Sequence, residues 1–255
     1  MTSFSDRPAS LSAAIDLAPS VGALGGAFML DPSVLGPGKS AGYPGGFSYY
    51  VVGRGGVLGD VDASVVSSAF GFFAPSLVRS LWEAGVPVEG ARAGADRYTI
   101  GCAEWGRTRL GDWAGAPRAV QLLERIIDGA NDSGLSLFAG WRAQSRPNDP
   151  VGRAYLLMHV LRELRGGVHL VATLAGGLTP LEAVLANPSS HGIEQAKRFG
   201  WNEPFPDVSR SHGAMADAER ITNSMMARHL DTLSEDELVE LVSLVAEAHQ
   251  RALGA

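Results

Sequence analysis

The chain has 255 residues, of which 45% are hydrophobic and 19% charged, and its net charge is −6. That length and apolar content suffice for one large domain or two modest ones, and they exclude a mostly disordered chain. The acidic balance argues against nucleic acid as a partner, because non-specific affinity for it comes from Lys and Arg neutralising phosphates.

In chain order, Met1–Asp6 lacks the basic-then-apolar arrangement of a secretory signal. No later apolar run reaches the roughly 20 residues of a membrane helix. A cytoplasmic location with no membrane partner is expected. Ser10–Leu30 is small and apolar, but Pro19 and three glycines predict a short or bent helix. Asp31–Gly46, with three prolines and several glycines, reads as a loop. Phe47–Val52 fits a short strand or the first turns of a buried helix. Asp62 is placed to cap a helix that runs through Ala69–Phe73, and Pro75 to open one over Ser76–Ala84. The glycines of Gly101–Gly115 read as loops and turns. Pro117 opens a helix over Arg118–Asp128 with Val120, Leu123, Ile126 and Ile127 on one face. The Pro/Asn/Asp cluster at Arg146–Pro150 is the best boundary between two halves, about 1–148 and 149–255.

In the second half, Gly152–Arg165 reads as a helix ended by Gly166-Gly167 in a left-handed cap, with Val168–Ala175 a further helix. Thr179-Pro180-Leu181-Glu182 and Ser234-Glu235-Asp236-Glu237 are capping boxes. They open helices over Leu181–Ala186 and Glu235–Ala252, and Gly213–Leu230 is also helical by pattern. Strand signals are poor throughout, so the class is mainly α.

Several nucleotide and catalytic motifs fail on inspection. Gly36–Ser40 ends like a phosphate loop, but Ser33 stands where the first glycine is needed, and Ala41-Gly42-Tyr43-Pro44 cannot start a long helix. Gly53, Gly55 and Gly59 miss the dinucleotide fingerprint at Leu58. No Gly-x-Ser-x-Gly elbow, no His-Glu-x-x-His pair and no Cys-rich zinc set is present. Cys102, the single cysteine, excludes an intrachain disulfide, suits a reducing compartment and reads as a buried, inert thiol. No metal site is expected, and no cofactor can be named.

One polar constellation survives. His159, Arg162, Glu163, Arg165 and His169 stand in strongly apolar surroundings, with His159 and Glu163 on one helical face. Polar groups so embedded must be paired or face a cavity. They form either an anion- or carbonyl-binding pocket with an acid/base histidine or a buried ion-pair network, in which Glu163 pairs with Arg162, Arg165 or a histidine. Tyr50 and Arg54 form a second pair beside Phe72-Phe73, read as a core hinge with a snorkelling arginine.

Two stretches carry a resemblance. The first is Tyr50-Val51-Val52-Gly53-Arg54 with Leu58-Gly59 and Phe72-Phe73-Ala74-Pro75; the second is Leu161–His169 with Ala175-Gly176-Gly177-Leu178 and Glu182-Ala183. Together they resemble an actinobacterial helix-turn-helix family. The resemblance implies a helical N-terminal half packed on a winged-helix-like C-terminal half, and no particular reaction. Within that pattern Gly192–Phe199 would be the first helix of the motif, Gly200-Trp201 its turn, and the recognition helix would begin at Asn202. Pro204 and Pro206, beside Glu203 and Asp207, do not suit a helix that enters a major groove. The second half is therefore expected to be a degenerate winged helix.

The leading expectation is a small-molecule-binding protein, possible also as a metabolic enzyme and as a homo-oligomer. Its pocket would lie between the halves, lined by Tyr50, Arg54, His159, Arg162, Glu163, Arg165 and His169, with nucleic acid set aside as a partner. The alternatives are a helix-turn-helix transcriptional regulator and a structural or partner-binding protein.

Overall fold

The computed structural model describes residues 8–188 and 191–254, so the reading of Met1–Asp6 lies outside the described residues. Among those residues the chain forms helices and no strand, which makes the class mainly α and leaves no β-wing there. The N-terminal helices are α1 (Ala9–Gly26), α2 (Pro32–Ser40), α3 (Gly46–Gly55), α4 (Ala63–Phe70), α5 (Pro75–Glu89), α6 (Ala91–Leu110), α7 (Ala116–Gly129) and α8 (Ser136–Arg142). Then follow α9 (Pro150–Ala175), α10 (Pro180–Ala186), α11 (Gly192–Arg198), α12 (His212–Leu230) and α13 (Glu235–Leu253).

Helix α9 is the axis of the fold. Asp149 caps its start by accepting a hydrogen bond from Gly152 N (2.8 Å), and Pro150 occupies the first turn, where its missing N–H costs nothing. Tyr155–Leu161 are buried without interruption, which only a helix packed on several sides can satisfy. Its neighbours are α1, α6, α7, α8 and α12, while α1 also lies on α12 and α13, and α3 sits between α5 and α6. One apolar core, from Ala13 to Ala252, therefore runs across the position between residues 148 and 149.

Several glycine- and proline-rich stretches are helical where the pattern predicts otherwise. Asp31–Gly46 is not a loop: α2 occupies most of it, with Asp31 as its N-cap (2.9 Å to Ser33 N) and Pro32 in the first turn. Phe47–Val52 belongs to a helix, α3. Residues 101–110, expected as loop, lie in α6. In each case burial against neighbouring helices overrides the intrinsic cost of glycine. The glycines serve close approach. A Cβ at Gly53 would run into the Tyr98 ring, and one at Gly106 into Tyr155 on α9.

The expected break at Gly166-Gly167 is also absent. Neither residue has a positive φ, and α9 runs through them. The left-handed cap comes ten residues later, at Gly177 (φ 78°), where Gly177 N donates to Leu174 O (3.0 Å) and Leu178 N to Thr173 O (3.3 Å). This double reach back to the last carbonyls is a Schellman ending. Thr179 and Glu182 then cap each other's backbone and start α10, whose axis lies 105° from that of α9. No single helix among the described residues is long and apolar enough to cross a membrane.

Two glycine substitutions should move stability in opposite directions. Gly106→Ala overpacks the α6–α9 crossing and should destabilise by about 1–3 kcal/mol in urea unfolding. A Cβ at Gly166 meets nothing within 4 Å, so Gly166→Ala should stabilise by up to about 1 kcal/mol. A destabilising Gly166→Ala would mean that α9 is not continuous.

Candidate functional site

The first polar group joins α3 to α9. Tyr50 and Arg54, one turn apart on α3, face Glu163 on α9. Arg54 donates through Nε to Glu163 Oε1 and through Nη2 to Oε2, both at 2.9 Å, and through Nη1 to Tyr50 Oη at 3.3 Å. Arg162 adds a third donor to the carboxylate (2.8 Å). Arg54 does not snorkel: it is 8% exposed, Glu163 is 2% exposed, and the guanidinium lies 4.6 Å over the Phe70 ring. Burial alone would raise the Glu163 carboxyl, but Arg54 and then Arg162 outweigh it and hold it at about 2. The principal partner of Glu163 is thus Arg54, 109 residues away, with Arg162 second.

His159 lies beneath this pair with no exposure, edge-on to Trp141 and Phe28. Burial lowers its pKa to about 4, so near neutrality the ring is uncharged. Nδ1–H then donates to Gly25 O (2.9 Å), and Nε2, 3.8 Å from Glu163 Oε1, has no hydrogen bond.

Arg165 and His169 belong to a separate group facing α12. Arg165 Nη2 donates to Glu219, and His169 Nδ1 lies 3.0 Å from Thr222 Oγ1, which itself donates to Ala218 O. Burial lowers the His169 pKa, against the opposing pull of Glu219. Six of the seven expected site residues border one cavity of about 640 Å³, which Phe70, Phe73 and Leu170 also line; His159 does not reach it. Cys102 is fully buried, and burial pushes its thiol up.

The second feature is the helix pair α10–α11. Ala183, Val184 and Ala186 of α10 are buried, with Leu178 and Ala183 meeting Met215 of α12 in a small satellite core. Helix α11 buries Ala196 and exposes Ile193, Glu194, Lys197 and Arg198. Gly200 (φ 85°) ends it in a second Schellman motif, with Gly200 N to Lys197 O and Trp201 N to Ala196 O both at 3.0 Å. The expected turn at Gly200-Trp201 is therefore a helix stop, and residues 201–208 are not helical. Lys197 pairs with Glu203 across this stop (2.7 Å) with both side chains exposed, while Arg198 and Arg210 have no carboxylate within ion-pair distance among the described residues.

Removing one partner of the buried pair strands the other, so Glu163→Ala should destabilise by about 3–5 kcal/mol. Glu163 and His159 both have folded-state pKa values below their unfolded ones. Each therefore contributes stability that is present above its unfolded pKa and lost as pH falls through the folded value. The window is from about 6.5 down to about 4 for His159 and from about 4.5 to about 2 for Glu163. Urea unfolding between pH 7 and 4 should show falling stability, and His159→Gln should remove part of that slope. An unaltered slope would mean that His159 titrates normally.

A helix-turn-helix family model matches residues 14–207, most of the chain, including α10 and α11. No curated protein and no solved structure matches the chain. The family match overturns two expectations: that the chain is first a small-molecule-binding protein, and that nucleic acid is not its partner. The first rested on the embedded polar residues of α3 and α9, the second on the acidic net charge and on Pro204 and Pro206. Net charge is a property of the whole chain, and Pro204 and Pro206 lie beyond the end of α11, leaving the pair intact. The chain belongs to this helix-turn-helix family.

Proposed function

We propose that the protein is a DNA-binding regulator in which α10 and α11 are the two helices of the motif and α11 is the one presented to the major groove. The observation that carries this reading is the family match, which extends through both helices. The geometry is compatible with it. Helix α10 is the buried, supporting member, and α11 carries its polar side chains outward. Lys197 and Arg198 stand on the exposed face of α11, and Arg210 is exposed just before α12. Arginine and lysine on such a face contact guanine edges or phosphates, and phosphate contacts fix register on the duplex. The net charge of −6 then works against binding elsewhere on the surface and makes the interaction depend on this small patch. A regulator of this kind works in the compartment that holds the DNA.

The test is selection of binding sites from a randomised duplex library by the full chain at low salt, followed by fluorescence anisotropy on the enriched sequence. A recurrent motif is expected. Lys197→Ala combined with Arg198→Ala should weaken binding and reduce the salt slope by about 2, roughly one unit per lost phosphate contact. Glu203→Gln removes an acid beside Lys197 and should strengthen binding. No enriched sequence, or a double variant that binds as the parent does, would contradict the reading.

A further inference from the structure

We propose that Phe199 and Trp201 are the positioning residues of α11: they clasp its C-terminal end to the α4–α5 loop and so set the angle at which the helix meets DNA. The proposal rests on the DNA-binding reading above. The need for such a device follows from size. Helix α11 has seven residues, far below the length at which an isolated helix is stable, and it packs chiefly on α10, itself equally short. Something outside the pair has to fix its direction.

The contacts that do so are concentrated at residues 199–201 and 72–74. The Phe199 ring stacks on Phe73 with centroids 4.1 Å apart and planes at 30°. Ala74 N donates to Phe199 O at 2.8 Å, and Trp201 Nε1 donates to Phe72 O at 2.9 Å. The two hydrogen bonds run in opposite directions across the same joint, so together with the ring stack they oppose both sliding and rotation. Gly200 completes the fit: a Cβ there would lie 2.6 Å from Leu77 Cβ on α5. The Schellman ending brings the three together, because it turns Trp201 back beside the last turn of α11.

The loop that receives the clasp is itself fixed. Gly71 adopts a positive φ where any side chain would meet Leu170 of α9, and Pro75 begins α5 in its first turn. Phe73 lies against Phe70 and against Tyr50, whose hydroxyl takes a hydrogen bond from Arg54. A continuous set of contacts thus runs from the buried Arg54–Glu163 pair to the end of α11.

Direction matters for base reading more than for phosphate attraction. Hydrogen bonds to base edges fail when a helix tilts, whereas attraction to the backbone is long-ranged and tolerant of angle. Loss of the clasp should therefore reduce discrimination between sequences while leaving general affinity for DNA nearly unchanged. A merely structural role would lower both together.

The experiment compares the full chain with Trp201→Phe, Phe199→Tyr and the double variant Phe199→Ala/Trp201→Ala. Without DNA, hydrogen exchange should rise roughly tenfold or more across residues 192–201 in the double variant, with α9 unchanged, as local opening predicts. With DNA, affinity for the selected duplex should fall roughly tenfold or more while affinity for a scrambled duplex stays within about twofold. Trp201→Phe keeps the ring and loses the hydrogen bond, and should fall between; Phe199→Tyr keeps the stack and should behave as the parent. Unchanged exchange at 192–201 would overturn the clasp. So would equal losses on the selected and scrambled duplexes. If the parent chain bound no duplex, the DNA reading would fall, and the positioning role with it; the exchange result would then decide only whether the joint orders α11.

Discussion

The contact on which the rest of the molecule depends is the buried fork between Arg54 and Glu163. Two full charges with 8% and 2% exposure persist because the guanidinium and carboxylate planes meet in two parallel hydrogen bonds and because Tyr50 and Arg162 each add a further one. Such a pair adds little net stability compared with well-packed apolar residues, yet breaking it is costly. Its consequence is geometric. It admits one register of α3 against α9, and the glycines of α3 and α6 let the surrounding helices close around that register. Trp141 Nε1 donating to Arg54 O, and His159 edge-on to Trp141, extend the same constraint to α8 and to the end of α1.

The helix pair stands outside this body and is tied to it at few points. The Schellman ending at Gly177 followed directly by the Thr179 capping box turns the chain through 105° within a few residues. That bend carries α10 away from the packed end of α9, and the satellite core around Met215 holds it against α12. The proposed reading uses this division, with α10 held by the body and α11 free to present polar side chains. Here the aromatic joint at residues 199–201 supplies the second support.

Much of the fold could be read from the chain where side chains cap backbone or where apolar residues keep the helical period. The boxes at Thr179 and Ser234 mark the starts of α10 and α13 because each closes two reciprocal hydrogen bonds on otherwise unpaired backbone N–H groups. Helix α7 was legible because Leu123, Ile126 and Ile127 recur on one face and are fully buried. The glycine-rich helices were not. At Gly53 and Gly106 the residue that looks like a breaker is the one that lets two helices touch, and only the neighbouring side chain reveals it. The polar residues around Glu163 were recognisable as embedded, but their principal partner, Arg54, is distant in sequence and joined to them only by the fold. Function was the least legible level. The overall charge said nothing of the local face of α11, and the absence of a helix over 202–207, legible from Pro204 and Pro206, said nothing of the helices before it.

The central claim is that α11, held by this body, is the surface that meets DNA. The most direct measurement is amide chemical-shift mapping of the isotope-labelled full chain titrated with its selected duplex. The largest changes should fall on Gly192–Arg198, with smaller ones at Arg210 and the joint at 199–201, and α9 should be undisturbed around Glu163. Changes absent from α11 and centred on another face, or no change with any duplex, would contradict the account.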